Sequence, residues 1–362
     1  MVVIAQLAQR LAAHPSWSGV GWFVFLYYAV WSSWINGTLY YDLHGTNDVS
    51  VRLFTFLQML AVAVMAVFVR DVPGDGAHGF ALGFAANTVV LVVLWFRTGW
   101  HDPHHRVASV PYSASYLVAA MVFAASAATD PPVIYWLWAI ALLIELVGQL
   151  AAYRVWTPPM DQGGAVFAAT PSLIERLDIF VIIVLGEVIV GSVNGMADLH
   201  PITTAGIVIG LLGMLVAIGL WWVHFDLVSG RAPTPSRTQL WLYLHLPLVI
   251  AMAAVGASLL NTVEHAIVPL PGDARWLLVG ACAVGRRVSR GVDSDSESAS
   301  FVSHALSDGH RRARRQRPRD RGGRLHRLGC GGNAHRDGPS PRCPDRGRAD
   351  RLGGAPRRAR AR

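Results

Sequence analysis

The residues with the most chemical promise are the polar ones of a single apolar stretch, Leu173 to Asn194, which Glu175, Arg176, Asp178, Glu187 and Asn194 interrupt. At 100° per residue, Arg176, Glu187 and Asn194 fall within about 20° of one another on a helix, with Ile183 between them, so they form one polar stripe. Arg176 and Glu187 stand roughly 16 Å apart along that stripe, too far for a direct bond. Glu187 therefore needs a partner from another element, and His245, His224 and Asn36 are the candidates. An ionisable group deep in an apolar helix is costly, and it ordinarily faces the interior of a bundle, where it pairs or carries ions. Two readings follow for Glu187: a proton or cation site, or a hydrogen-bonded carboxyl that fixes helix packing. Glu145 and Gln149, one turn apart in another apolar run, make a second pair of the same kind.

The remaining polar clusters promise less. His101, His104 and His105 crowd a loop that also holds Asp102 and Pro103, but no second ligand group stands at zinc spacing, so a solvated loop is expected and no metal or other cofactor is assigned. Cys282, Cys330 and Cys343 match neither a C-x-x-C pair nor a disulfide framework. No phosphate loop, H-E-x-x-H pattern or Ser-His-Asp arrangement stands out, so nothing argues for an enzyme, and a membrane-embedded enzyme has no motif in its favour. Gly206, Gly210 and Gly213 in one apolar run, and Ala253, Ala254, Gly256 and Ala257 in another, give small faces suited to close helix packing.

The elements that must position these residues are membrane helices. Apolar residues make up 53% of the chain and charged residues 15%, well below the roughly 25% charged content of soluble domains. A bilayer core of about 30 Å takes some 20 mostly apolar residues as a helix. Eight segments qualify, at 17–41, 51–69, 79–95, 112–128, 133–153, 173–194, 203–225 and 239–263. The fold expected is an all-α polytopic transmembrane bundle. Between the segments lie Pro73 with Gly74, Pro103, Pro131 with Pro132, Pro158 with Pro159, Pro201, Pro233 with Pro235, and Pro269 with Pro271. Proline and glycine stop helices at such places. Trp17, Tyr40, Tyr41, Trp95, Trp136, Trp221 and Trp241 mark segment ends, where amphipathic rings sit at headgroup level.

Arginine in short loops favours the cytoplasmic side. Arg52, Arg97, Arg106, Arg154, Arg176, Arg231 and Arg237 flank one set of loops, against Arg10, Arg70 and Arg275 for the other. The first set is expected to face the cytoplasm of a multi-pass protein of the inner (plasma) membrane. The segment 17–41 then runs inward, which places Met1 outside with no signal peptide, and residues 1–13 look like the end of a helix whose start is missing. An internal duplication offers a second organising idea. His14-Pro15 and His200-Pro201 each precede a segment with an aromatic end followed by an Asp, Asp42 and Asp226, and Arg52 and Arg237 then lie 185 residues apart. The two halves would be parallel repeats, as transporter folds often are.

The chain changes character after Val284. Residues 1–285 carry a net charge of −5 and residues 286–362 one of +13, and all 31 basic residues are Arg. One reading is a disordered cationic tail that binds anionic lipid or RNA. The other is a frameshift in a GC-rich coding sequence, preferred because the switch cuts an apolar helix that starts at Ala274. The division expected is a transmembrane domain at 1–284 and an Arg/Gly/Pro-rich tail at 285–362 with no nucleic-acid role.

Glu175 with Arg176, Phe180, and the run Ile182 to Glu187 resemble the signature of the bacterial low-temperature-requirement A (LtrA) family. Asn47 to Leu53, Trp221 to Asp226 and Tyr243 to Pro247 are similar to its other motifs, so the resemblance spans about residues 1–284. The family commonly has His where Ser172 stands and Gly where Asp178 stands, and an acidic helix segment usually precedes the equivalent of Met1 to Gln6. The resemblance implies an integral membrane protein whose name refers to growth in the cold and which has no settled activity. The expectation drawn from residues and resemblance together is a secondary transporter for a small solute or proton. Glu187, Arg176, Asn194, Glu175, His245 and Glu145 are its transport or ion site candidates. The alternative is a non-transporting membrane factor that supports growth at low temperature.

Overall fold

In the computed structural model, the residues described are 2–287 apart from 46–47, 104, 157–168, 198–202, 230–231, 234–236, 265–275, 277–278 and 286. The tail assigned from sequence falls outside the described residues beyond 287. Among the described residues, which include a further helical run at 279–285 and no strand, the chain forms one short 3-10 turn and nine main α-helices. They are α1 Val2–Ala13, α2 Trp17–His44, α3 Val49–Phe68, α4 Ala77–His101, α5 Arg106–Ser126, α6 Val133–Trp156, α7 Pro171–Ala197, α8 Thr204–Leu227 and α9 Thr238–Glu264.

The helices α2 to α9 correspond one for one to the eight apolar segments. Seven of them, α3 to α9, are long and apolar enough to cross a membrane by length and composition. The one that falls short of that criterion is α2, and its sequence gives the reason: four Trp, four Tyr and several Ser and Gly residues replace aliphatic ones along Trp17–His44. Half of α2 is buried, including Tyr27, Trp31, Asn36 and Tyr40, so the protein rather than lipid surrounds much of it. Large apolar side chains on the other helices, such as Leu60, Phe96, Met121, Leu143 and Leu215, remain exposed on the outside of the bundle. That inside-out distribution suits a lipid environment.

Short connections force consecutive helices to run antiparallel, and contacts between distant elements agree on two opposite ends. At one end Arg97 of α4 meets Asp48 before α3 at 3.8 Å, the His44 ring packs on that of His105, and Thr170 donates to Asp42. At the other end Arg10 donates to the Arg70 carbonyl, Gly74 N–H to Tyr135, and Asn261 to the Ala12 carbonyl.

The helices pack in two groups. Helices α3, α4, α5 and α6 stack in sequence, while α7, α8 and α9 pack on one another, α7 and α9 also on α1, and α2 touches α1, α4, α7 and α9 between the groups. The small faces of α8 and α9 lie against α7: a Cβ on Gly213 would reach Ser192 Oγ at 2.9 Å, and one on Gly256 would reach Val188 Cγ2 at 3.1 Å. Close packing of this sort replaces the hydrophobic effect as the adhesive between helices in lipid. Two helix starts also match in detail. Ser16 caps α2 by accepting from Gly19 N–H, and Thr203 caps α8 by accepting from Gly206 N–H. Helix α1 touches α2 and α3, and α7 touches α8 and α9.

Candidate functional site

Helix α7 carries most of the site candidates and begins at Thr170, whose hydroxyl accepts from Leu173 N–H at 3.0 Å and donates to the Asp42 carboxylate at 2.7 Å. This cap fixes the rotation of α7 against the end of α2. Phe180, on the inner face, stacks on Trp34 of α2 with ring centroids 4.2 Å apart. The rotation leaves Glu175 exposed, Arg176 half-buried, Glu187 half-buried and Asn194 exposed at the helix surface.

Glu187 and Asn194 come together on a cavity of about 280 Å³ that also takes Gln9 from α1, Arg70 from the turn after α3, and Gly256 and Leu260 from α9. The polar stripe read from α7 is thus realised for these two residues, while Arg176 does not line that cavity. His224, His245 and Asn36, the partners expected for Glu187, do not line that cavity. His224 bonds Asp178, His245 Nδ1 donates to the Trp241 carbonyl at 2.9 Å, and Asn36 is buried in α2 with neither amide atom bonded among the described residues.

Glu145 occupies a different place. It is fully enclosed between helices, accepts from Thr88 Oγ1 at 3.3 Å, and is accompanied one turn on by Gln149, which accepts from Tyr243 Oη at 2.6 Å. Both polar groups of the Glu145–Gln149 pair therefore link α6 to other helices, α4 and α9. The two carboxylates belong to different settings: one borders a cavity, the other is sealed in the bundle.

Three features were missed by sequence reasoning. One is a second cavity of about 820 Å³ among α1, α2, α3 and α4, which Arg70 also borders. Its polar lining includes Gln58, bonded to Tyr41 at 2.9 Å, and Asn87, buried with both amide atoms unbonded among the described residues. Another is the group Asp178, His224 and Ser229, which joins α7 to the end of α8. The third is Trp138 Nε1 donating to Ser126 Oγ at 2.9 Å, which ties α6 to the end of α5. Amides and hydroxyls in apolar runs carry the only sequence signal for the first and third. Among the described residues no group of three or more His, Cys, Asp or Glu side chains could hold a metal ion, and in the loop after α4 His105 Nδ1 pairs with Asp102 at 2.5 Å.

Comparison with known proteins now bears on this bundle. The family model described as bacterial low temperature requirement A protein (LtrA) matches residues 1–286. The chain belongs to the LtrA family. The match covers every helix from α1 to α9, so the LtrA domain and the helical bundle are the same object. An uncharacterized protein of Rhizobium meliloti (strain 1021) is 27% identical over 305 residues, covering 76% of this chain and 71% of that protein. No solved structure matches. The protein is therefore an integral membrane protein of the LtrA type.

Proposed function

We propose that this LtrA protein is a secondary carrier of the inner membrane in which Glu187 takes up a proton or small cation, with Arg176, Asn194 and Glu175 along the same helix and His245 and Glu145 deeper in the bundle. The observation that supports this reading is the cavity shared by Glu187, Asn194, Gln9 and Arg70, half-way along an apolar helix. A carboxylate kept at membrane depth and open to a polar cavity can exchange an ion, whereas a packing group would be enclosed. Arg70 borders this cavity and a larger, mainly apolar one, which gives a solute space next to the acid.

The test is proton uptake into liposomes holding the full chain and a trapped pH-sensitive dye, driven by a potassium diffusion potential. Wild-type vesicles should acidify faster than empty ones, Glu187→Gln should abolish the excess, and Glu187→Asp should keep part of it. Equal rates for wild type and Glu187→Gln would remove Glu187 from the site. A second reading, a non-transporting factor that supports growth in the cold, draws on Glu145: enclosure plus a bond from Thr88 is what a packing carboxyl needs.

A further inference from the structure

The larger cavity, of about 820 Å³, follows α3 from Thr55 to Arg70. Most of its wall is apolar. Met59, Ala63 and Val67 line it and are also exposed on the outside of the bundle, so it opens sideways into lipid. Among the described residues no carboxylate lines it, and its one cation, Arg70, stands at the end nearest the turn between α3 and α4. Three hydroxyls on the wall are spent within the protein. Ser33 donates to the Ala29 carbonyl at 3.2 Å, Thr55 to the Val51 carbonyl at 2.9 Å and Tyr41 to Gln58 Oε1 at 2.9 Å. Asn87 differs from them. It is 1% exposed, and neither its Oδ1 nor its Nδ2 has a hydrogen-bond partner among the described residues. Gln6 Oε1, on the α1 side of the same wall, is buried without one as well.

We infer that this cavity binds an uncharged amphiphile, whose hydroxyl head hydrogen-bonds to Asn87 and whose hydrocarbon chain lies along α3. A buried polar atom with no partner is costly, and native structures pair such atoms as a rule. The amide of Asn87 offers one acceptor and two donors, and a hydroxyl answers both kinds at once, donating to Oδ1 and accepting from Nδ2. A carboxylate or phosphate would answer Nδ2 alone, an ammonium Oδ1 alone, and either would lie at membrane depth without a counter-ion. The apolar wall selects the rest of the molecule, and the lateral opening admits it from the bilayer.

The register of α4 on α3 sets the length of chain that fits. A Cβ on Gly83 would stand 2.9 Å from Met65 Cγ, and the two helices run antiparallel, so Asn87 lies about level with Ala61, roughly one turn from Gln58. From that level to Arg70 the cavity follows about 14 Å of helix. Val62, Ala63, Ala66 and Val67 line this stretch, and they offer a chain no polar group. The site goes beyond the carrier reading and rests on neither Glu187 nor any flux.

The test is photolabelling of the full chain in phosphatidylcholine vesicles by dodecanol with a diazirine in its chain, with the labelled peptides identified by mass spectrometry. Label should fall on the cavity wall of α3 and α1 in excess of the lipid-facing side of α8. Unlabelled dodecanol should displace it at about tenfold lower mole fraction than dodecane or dodecyl phosphate, the ratio expected of one or two hydrogen bonds. Asn87→Leu should erase that preference and leave the unfolding midpoint unchanged or raised, because it replaces an unpaired amide by an apolar group of similar size. Ala63→Trp, which narrows the cavity at an exposed position, should suppress the excess label. Label no denser on α3 and α1 than on α8, displacement best by dodecyl phosphate, or a preference for dodecanol that survives Asn87→Leu would overturn the proposal. So would a lowered midpoint in Asn87→Leu, which would mean that the amide is paired within the protein. Binding is read here without transport, so its failure is separate from a failure of Glu187 to support flux.

Discussion

Replacement of Gly99 by Ala tests the packing of α4 on α5 at one atom. A Cβ at Gly99 would stand 2.8 Å from Ser109 Cβ and 3.4 Å from Ser109 Oγ, whereas carbon atoms in contact ordinarily keep about 3.5 to 4.0 Å. The helices cannot slide apart cheaply there, because Arg106 Nε donates to the Gly99 carbonyl at 3.1 Å and Asp102 N–H to the Thr98 carbonyl at 2.9 Å. Overpacking of this kind costs about 1 to 3 kcal/mol, offset by up to about 1 kcal/mol from the better helix propensity of Ala, so Gly99→Ala should lose stability. Ser109→Gly removes both clashing atoms. The Ser109 hydroxyl is buried with no partner among the described residues, so that change loses only helix propensity, about 1 kcal/mol. In the Ser109→Gly background, Gly99→Ala should become neutral or stabilising, a coupling of about 1 to 3 kcal/mol. Ser109→Ala keeps the Cβ and should not rescue. The assay is unfolding of the full chain in mixed micelles by increasing sodium dodecyl sulfate, followed by tryptophan fluorescence. Additive effects of the two changes, or rescue by Ser109→Ala, would refute the packing argument.

Two further outcomes follow from the helix caps. Asp48 precedes α3, and its carboxyl is held below the usual range first by the Ser50 hydroxyl, then by the Val49 N–H, with Arg97 adding attraction. A depressed folded value means the contribution is present above about pH 4 and is lost as pH falls below that. The protection of the first-turn amides of α3, taken relative to their intrinsic exchange rates, should therefore fall on acidification through that window, and Asp48→Asn should remove that fall. Thr170→Val removes the N-terminal cap of α7 and its tie to Asp42 together, which should cost about 1 to 2 kcal/mol in the same micellar unfolding assay, with no loss when Asp42→Asn is already present beyond the cap itself.

The bundle was legible because its signals are local. Apolar runs of membrane length bounded by Pro and Gly located α2 to α9, and α2 was found although its Trp and Tyr content dilutes its apolar character. The small faces of α8 and α9 were also visible, since glycine and alanine at helical spacing have few other uses in lipid. The site was only half legible. Periodicity gave the Glu187–Asn194 side of α7, because both residues lie on one helix. It could not give Asp178 with His224 and Ser229, whose meeting depends on how α7 and α8 cross and where α8 ends. The same limit explains why His224, His245 and Asn36 were expected near Glu187: burial of polar residues is readable from one sequence, but which of them face each other is set by helix rotation. Arg70 and Gln9 were overlooked at the Glu187 cavity for a related reason, since they come from α1 and the turn after α3, and their meeting with α7 depends on how those elements pack.

The central claim is that one chain crosses the membrane many times with fixed ends, and single-cysteine labelling tests it most directly. In a chain with Cys282, Cys330 and Cys343 replaced by Ser, Asp75→Cys, Asp130→Cys and Pro103→Cys each put one thiol at an exposed position in a loop between helices. With the arginine-rich loops inside, a membrane-impermeant maleimide should label Asp75→Cys and Asp130→Cys in intact cells and Pro103→Cys only after the membrane is opened. Labelling of all three from the same side would contradict the bundle described here.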